Sequence, residues 1–113
     1  MILEFTRLSE LEERLRNKSK IGCLENVLTA ISNQLPQYLP NPEEFEAYIT
    51  CGGINLILKY SESFITLQYY SGGLFYSENE IVEIFNSDME LLWISNTMED
   101  VILFCGMWIN DMV

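Results

Sequence analysis

The sequence predicts a single α+β domain over residues 1–113, with an antiparallel sheet of four to five strands and three to four helices packed mainly on one face. The chain has 113 residues, 49% of them hydrophobic and 20% charged, which suits one domain with one core. The middle of the chain is rich in β-branched and aromatic residues between turn signals, and apolar residues recur at helical spacing on either side. Separate runs of helices and strands are typical of α+β domains.

Two helices are predicted in the first third of the chain. Ser9 and Glu12 have the spacing of a capping box, and a leucine stripe accompanies them: Leu8, Leu11 and Leu15. A second helix follows Gly22 and ends before Pro36, because proline cannot continue it. Its apolar residues lie on one helical face: Leu24, Val27, Leu28, Ile31 and Leu35.

A third helix is predicted to begin at Asn41. Asn41 is a good N-cap residue, Pro42 favours the first helical position, and the two glutamates that follow complement the helix dipole. We expect this helix to extend to Gly52. The alternative is a strand over residues 47–51 that turns at Gly52 and Gly53 into the next strand.

The middle of the chain predicts a β-hairpin. Ile54–Tyr60 and Phe64–Tyr70 have strand composition, and three polar residues separate them. Gly72 and Gly73 mark a further tight turn, which leads into a short apolar segment over residues 74–76.

The last part of the chain predicts a helix, a strand and one element of either type. Ser77 and Glu80 form a second capping box, so a helix is expected through residue 85. Glu90–Ser95 is predicted to be a strand. Val101–Trp108 is either another strand or a buried helix capped at Thr97, since continuous hydrophobicity does not distinguish the two.

Charge is distributed unevenly along the chain. Seventeen acids and six bases leave a formal net charge of −11, and Lys59 is the only base after residue 20. This balance argues against direct binding to nucleic acid or to anionic lipid. The general interpretation is an acidic surface that aids solubility. A more specific interpretation is a continuous negative face directed at a basic protein.

Several classes of chemistry are excluded or disfavoured by composition. Histidine is absent, so the chain has no imidazole base and no histidine metal ligand. No phosphate-binding loop is present, and we expect no catalytic residues, no metal and no cofactor. Three widely spaced cysteines suit small buried side chains in a reducing cytoplasm: Cys23, Cys51 and Cys105. The longest uncharged apolar run, Val101–Ile109, is too short for a membrane span, so a soluble cytoplasmic protein is expected.

One segment combines acids with aromatic residues and predicts a surface for a basic partner protein. Residues 78–100 contain seven acids and no base, and tyrosines lie close by in sequence. Charge speeds encounter, and aromatic side chains contribute strongly to binding. The predicted partner-binding residues are Glu78, Glu80, Glu83, Asp88, Glu90, Tyr70 and Tyr76.

In length, charge and α+β pattern, the whole chain resembles the small acidic immunity proteins of bacterial polymorphic and contact-dependent growth inhibition toxin systems. Many of those proteins cover the basic active site of a cognate nuclease toxin in the cytoplasm. The resemblance therefore implies a non-enzymatic inhibitor whose partner is a nuclease toxin domain. It includes no shared motif, so it assigns no residue a role.

Three other hypotheses make different structural predictions. A phage-encoded nucleic-acid mimic, such as an anti-CRISPR or anti-restriction protein, predicts acids in rows along an extended surface. A small carboxylate enzyme predicts a concave pocket in which at least two acids with raised pKa values face each other. A structural subunit predicts an exposed apolar patch around Trp93, Phe104 and Trp108.

Overall fold

A computed structural model of the chain describes residues 20–71 and 80–110. Its helices and strands are α1 (Leu24–Gln34), β1 (Phe45–Thr50), β2 (Asn55–Tyr60), β3 (Ser63–Ser71), β4 (Glu80–Phe85), β5 (Leu91–Ser95) and α2 (Met98–Asn110). Short 3₁₀ turns lie at Pro36–Tyr38, Pro42–Glu44 and Cys51–Gly53. The predicted helix at Ser9 and the predicted turn at Gly72 and Gly73 lie outside the described residues.

The five strands form one antiparallel sheet in which each strand pairs with its neighbours in sequence. The predicted antiparallel sheet is confirmed, as is the α+β class. Antiparallel neighbours need only short connections, and the hairpin between β2 and β3 turns through Ser61 and Glu62. In this order β1 and β5 form the two edges of the sheet.

One face of the sheet packs on the helices and forms the core. Alternate residues of β2, β3 and β4 point inward and are buried: Leu56, Leu58, Ile65, Leu67, Val82 and Ile84. They join the apolar faces of the two helices in one cluster, which includes Val27 and Ile31 from α1 and Ile102 and Ile109 from α2. Each such side chain contributes about 1.5–3 kcal/mol through burial.

The predicted helix over residues 42–51 is wrong, and the strand alternative is right. The start signals at Asn41 and Pro42 produce only a 3₁₀ turn, after which Phe45–Thr50 becomes β1. The strand alternates half-buried with exposed residues over its first four positions and pairs with β2 along its whole length. Pairing with β2 therefore overrides the local helix signals, and the chain turns at Cys51–Gly53, as the alternative required.

The predicted helix from Ser77 through residue 85 is also wrong where the structure describes it. Glu80–Phe85 is β4, which lies between β3 and β5. Val82 and Ile84 alternate inward into the core, a period of two that the capping-box interpretation overlooked. The described residues contain two α-helices and three 3₁₀ turns, so the expected three to four helices are not confirmed.

The other element predictions that fall within residues 20–71 and 80–110 are confirmed, and the open one is decided. The helix after Gly22, the central hairpin and the strand ending at Ser95 are present. The last apolar segment is α2, a helix whose first turn is capped where the Asp100 N–H donates to Thr97 Oγ1 at 3.2 Å. Neither of the two described helices combines the length and hydropathy that crossing a bilayer requires.

All three cysteines carry free thiols. Cys105 is buried in α2, and this burial raises the pKa of its thiol to about 12. Cys23 is half-buried. Cys51 is exposed in the turn between β1 and β2, so the expectation that all three are buried is wrong for Cys51.

Candidate protein-binding surface

One end of the sheet gathers acids from several connections, and we call it the acidic end. In an antiparallel sheet in sequence order, the β2–β3 and β4–β5 turns lie at the same end as the start of β1. Each of these three segments carries exposed acids. The acidic end consists of Glu43, Glu44, Glu62, Asp88 and Glu90. It spans the full width of the sheet, about 20 Å for five strands.

The turn between β4 and β5 is held in place by one asparagine. Asn86 Oδ1 accepts the backbone N–H groups of Asp88 and Glu90, both at 2.9 Å. The Asn86 N–H donates to the Glu90 carbonyl at 3.0 Å. Met89 occupies the left-handed region at φ 61° within this turn. These bonds fix the backbone of the turn and leave both carboxylates exposed at the start of β5.

The strand that follows this turn is exposed on both faces, and we call Leu91–Ile94 the β5 edge. The four side chains are between 38% and 51% exposed. A strand packed on a core normally buries every second residue, but here only Ser95 is buried. The pairing with β4 is also irregular opposite Ile84 and Phe85. Among the described residues, β5 therefore presents an apolar strand at the border of the sheet.

Trp93 is the most constrained side chain of the β5 edge. Its ring stacks on Phe104 of α2, with ring centroids 5.5 Å apart and planes inclined by 16°. Its indole N–H donates to Asp100 Oδ2 at 3.1 Å. Trp93 is nevertheless 47% exposed. A large aromatic ring that is both fixed and accessible is typical of residues that dominate protein interfaces.

Acids also lie beside and beyond the β5 edge. Glu83 of β4 is the cross-strand partner of Ile94, on the face of the sheet opposite the helices. Glu99 and Asp100 occupy the first turn of α2, three residues after β5 ends. With Asp88 and Glu90 at the other end, carboxylates border this apolar strand at both ends. Residues 60–113 contain no lysine or arginine.

The structure therefore brings three of the predicted binding residues to one region and places Tyr70 and Glu80 elsewhere. Glu83, Asp88 and Glu90 adjoin the β5 edge. Tyr70 lies two strands away on β3, where its hydroxyl donates to Gln68 Oε1 at 2.8 Å. Glu78 and Tyr76 lie outside the described residues.

Glu80 has a structural role that the sequence analysis missed. Its carboxylate accepts the Ile21 N–H at 2.8 Å, the Gly22 N–H at 2.7 Å and the Tyr69 hydroxyl at 2.8 Å. Glu80 therefore ties β4 to the segment that begins α1. The apparent capping signal came from a residue whose backbone partners, Ile21 and Gly22, are 59 and 58 positions away in sequence, which no local pattern reveals.

These contacts change the titration of both side chains. Partial burial raises the pKa of Glu80, but hydrogen bonds from Ile21, Tyr69 and Gly22, with nearby Lys20, outweigh burial and leave the pKa below 4.5. Burial and the bond to Glu80 raise the pKa of the Tyr69 hydroxyl above its ordinary value. The Glu80 carboxylate is thus held in its charged form by groups of its own chain.

Gly22 is required at this contact by its backbone conformation. Its φ is +83°, in the left-handed region that favours glycine. A Cβ at this position would lie 2.6 Å from Asn26 Nδ2, while Asn26 itself donates to the Ile21 carbonyl at 3.1 Å. A side chain here would disturb both the start of α1 and its bond to Glu80.

A cleft of about 370 Å³ lies at the end of the sheet opposite the acidic end. It is lined by Cys23, Leu24, Glu25, Gly53, Ile54, Gln68, Tyr69 and Tyr70. Glu25 is the single carboxylate among these residues, whereas the enzymatic hypothesis requires two facing acids. No cluster of three or more metal-ligating side chains occurs within residues 20–71 and 80–110.

The β5 edge was not among the predicted binding residues. Its signal was present in the run of apolar residues without alternation in the last strand, and the subunit hypothesis had pointed to Trp93. Comparison of the chain with protein-family models, curated proteins and solved structures found no match.

Proposed function

We propose that this protein is a non-enzymatic acidic binding protein that neutralises a basic partner protein in the cytoplasm. The closest functional description is an immunity protein that covers the active site of a bacterial nuclease toxin. The observation that carries the proposal is that the acidic end spans the sheet and meets the apolar β5 edge at Glu90. Such a junction combines long-range attraction with an apolar contact area.

The acidic end supplies the long-range part of this function. Exposed charges interact over about 10 Å at 0.1 M salt, so carboxylates in adjacent connections act together on an approaching protein. Lys59, near the end of β2, is the single base between Ile21 and Asn110. Each exposed ion pair adds little affinity, and the main effect is a faster encounter, reaching about 10⁸ M⁻¹s⁻¹ in well-steered complexes.

The β5 edge supplies the short-range part. Trp93 and its apolar neighbours lose exposed surface when a partner covers them, at about 25 cal/mol for each Å² removed from water. The surface with which a nuclease binds phosphates is basic, so it matches the acidic end, and the proposal requires apolar contacts for β5 beside that surface. Occlusion of the site then blocks the nuclease without any chemistry in the inhibitor.

The test is a pull-down from the native host with three baits. The first is the wild type, the second is Glu62→Lys with Asp88→Lys and Glu90→Lys, and the third is Glu25→Lys, an exposed acid at the opposite end of the sheet. We expect the wild type and Glu25→Lys to retain a basic protein that the triple variant binds at least tenfold more weakly. The rate at which the captured protein associates with the wild type should fall between low and moderate salt. The wild type should inhibit the nuclease activity of the captured protein stoichiometrically.

Two results would contradict the proposal. One is recovery of an acidic or neutral partner. The other is an association rate that ionic strength does not change. Circular dichroism of each bait separates loss of binding from loss of fold.

A second candidate function is supported by the arrangement of the acidic end. Acids in a row across about 20 Å suit a mimic of a phosphate backbone, as in an anti-CRISPR or anti-restriction protein. A mimic depends on its carboxylates alone, so Ile94→Ser, which changes no charge, would leave its binding unchanged. The proposed inhibitor loses binding in that variant because the β5 edge is part of its interface.

A further inference from the structure

We infer that the β5 edge binds an extended, lysine- or arginine-flanked segment of the partner protein as a sixth strand of the sheet. The inference rests on the proposed function, which makes the partner basic, and adds the mode of binding. β4 pairs with one side of β5, and no described strand pairs with the other. Backbone N–H and C=O groups on an unpaired edge are the template for strand addition.

The β5 edge lacks most of the features that protect edge strands from pairing. Leu91–Ser95 contains no charged residue and no proline. The irregular pairing with β4 falls at the start of the strand, opposite Ile84 and Phe85, and leaves its second half in regular register. Natural edges commonly carry charges or prolines because these prevent intermolecular pairing. Because Leu91–Ser95 lacks both, we expect this strand to pair with a strand of another protein.

The side chains of β5 suit an added strand on both faces of the sheet. Trp93 lies on the helix side, and Ile94 lies on the opposite side next to Glu83. Both are about half exposed. An incoming strand places alternate side chains beside each of them, and cross-strand apolar or aromatic pairs stabilise a sheet by about 0.2–1 kcal/mol each.

The charges around β5 select a cationic occupant over a second copy of this chain. Asp88 and Glu90 precede the strand, and Glu99 and Asp100 follow it. Antiparallel pairing of two copies would place the acids before one strand beside the acids after the other. Parallel pairing would place the acids before one strand beside the same acids of the other copy, and the acids after it likewise. Either arrangement opposes like charges, whereas basic residues on either side of an added strand face carboxylates at both ends.

The test uses three short synthetic peptides with the intact protein. The first has an alternating valine and threonine core between lysines, the second has the same core between serines, and the third is the lysine peptide with a central proline. Binding is measured from tryptophan fluorescence in a Trp108→Phe background, in which Trp93 is the one tryptophan left, and amide hydrogen exchange locates the binding. We expect the lysine peptide to bind at least tenfold more tightly than the serine peptide and to protect amides of Leu91–Ser95. The proline peptide should not protect them.

The outcomes separate the binding mode from the proposed function. Equal binding of the lysine and proline peptides overturns strand addition and leaves a basic partner in place. Equal binding of the lysine and serine peptides, with β5 protected, supports strand addition and contradicts the basic partner. A protein that is dimeric without peptide and has β5 amides already protected overturns the inference in favour of a second copy.

A matched pair of variants completes the test. Ile94→Lys places a cation on the β5 edge and should abolish binding of the lysine peptide. Ile54→Lys makes the same substitution at a side chain that is 64% exposed just before β2, three strands away from β5, and it should bind as the wild type does. Retained binding in Ile94→Lys overturns the inference. If Ile94→Lys does not fold, the comparison of lysine and proline peptides on the wild type decides.

Discussion

The two edge strands of the sheet are built differently. β1 carries Glu46 at its second position, and Pro42 lies just before it. Its inward residues pack against the core: Phe45, Ala47 and Ile49. β5 has no charged residue, and its first four side chains are all exposed. The β1 edge therefore packs its apolar side chains within the folded domain, whereas the β5 edge exposes apolar surface at the border of the sheet.

This difference shows that strand position alone does not decide how an edge behaves. Among the described strands, β1 and β5 each pair with one neighbour, yet β1 is protected by charge and by packing on α1. β5 contacts α2 through the ring of Trp93, which stacks on Phe104 and donates a hydrogen bond to Asp100. We propose that β1 serves stability and β5 serves binding, and the paired truncations of Ile49 and Ile94 test this proposal.

The largest effect is expected where β4, the neighbour of β5, is tied to the start of α1. Glu80→Ala leaves the Ile21 and Gly22 N–H groups without their acceptor, and we expect a loss of about 2 kcal/mol in the free energy of unfolding. Glu83→Ala on the opposite face of the same strand is the control, with a change of less than about 0.5 kcal/mol. Urea unfolding measures both, and equal losses would show that the Glu80 contact is not structural.

The two edges themselves are compared by a matched pair of truncations. Ile49→Ala in β1 removes a side chain packed on the core and should cost about 1–2 kcal/mol. Ile94→Ala in β5 removes a side chain that is 51% exposed and should cost less than about 1 kcal/mol. Thermal or urea unfolding gives both values. An equal or larger cost at Ile94 would break the assignment of β5 to binding.

The smallest effect is the pH dependence of the Glu80 contact. The pKa of Glu80 is lowered in the folded state, so its contribution is complete above the ordinary value of 4.5 and is lost as pH falls through the folded value. The stability difference between the wild type and Glu80→Gln should therefore shrink as pH falls below 4.5. A difference that stays constant in acid would mean that the charged form of Glu80 adds nothing.

Local patterns predicted some elements correctly and failed where pairing decided the outcome. α1 and the central hairpin followed from helical spacing, Pro36 and a short polar turn, all of which act within a few residues. The start signals at Asn41 and Ser77 are equally local, yet Phe45–Thr50 and Glu80–Phe85 are strands. Both strands bury alternate residues against the core, and that gain comes from partners elsewhere in the chain.

The sequence predicted an acidic surface, but it identified only some of the residues that lie there. The count of acids predicted a negative surface. Whether Glu62 and Asp88 lie at the same end of the sheet depends on strand order and on β4 being a strand. Glu80 belonged to the predicted set, and its carboxylate accepts backbone N–H groups of its own chain.

The amino-acid sequence was enough to predict the α+β class, the excess of carboxylates and the lack of imidazole chemistry, because these depend on composition and on spacing within short segments. The fold sets which carboxylates stand together and which described edge strand exposes apolar side chains. Those properties depend on pairing between distant segments, where a backbone hydrogen bond or a buried side chain outweighs the preference of any single residue.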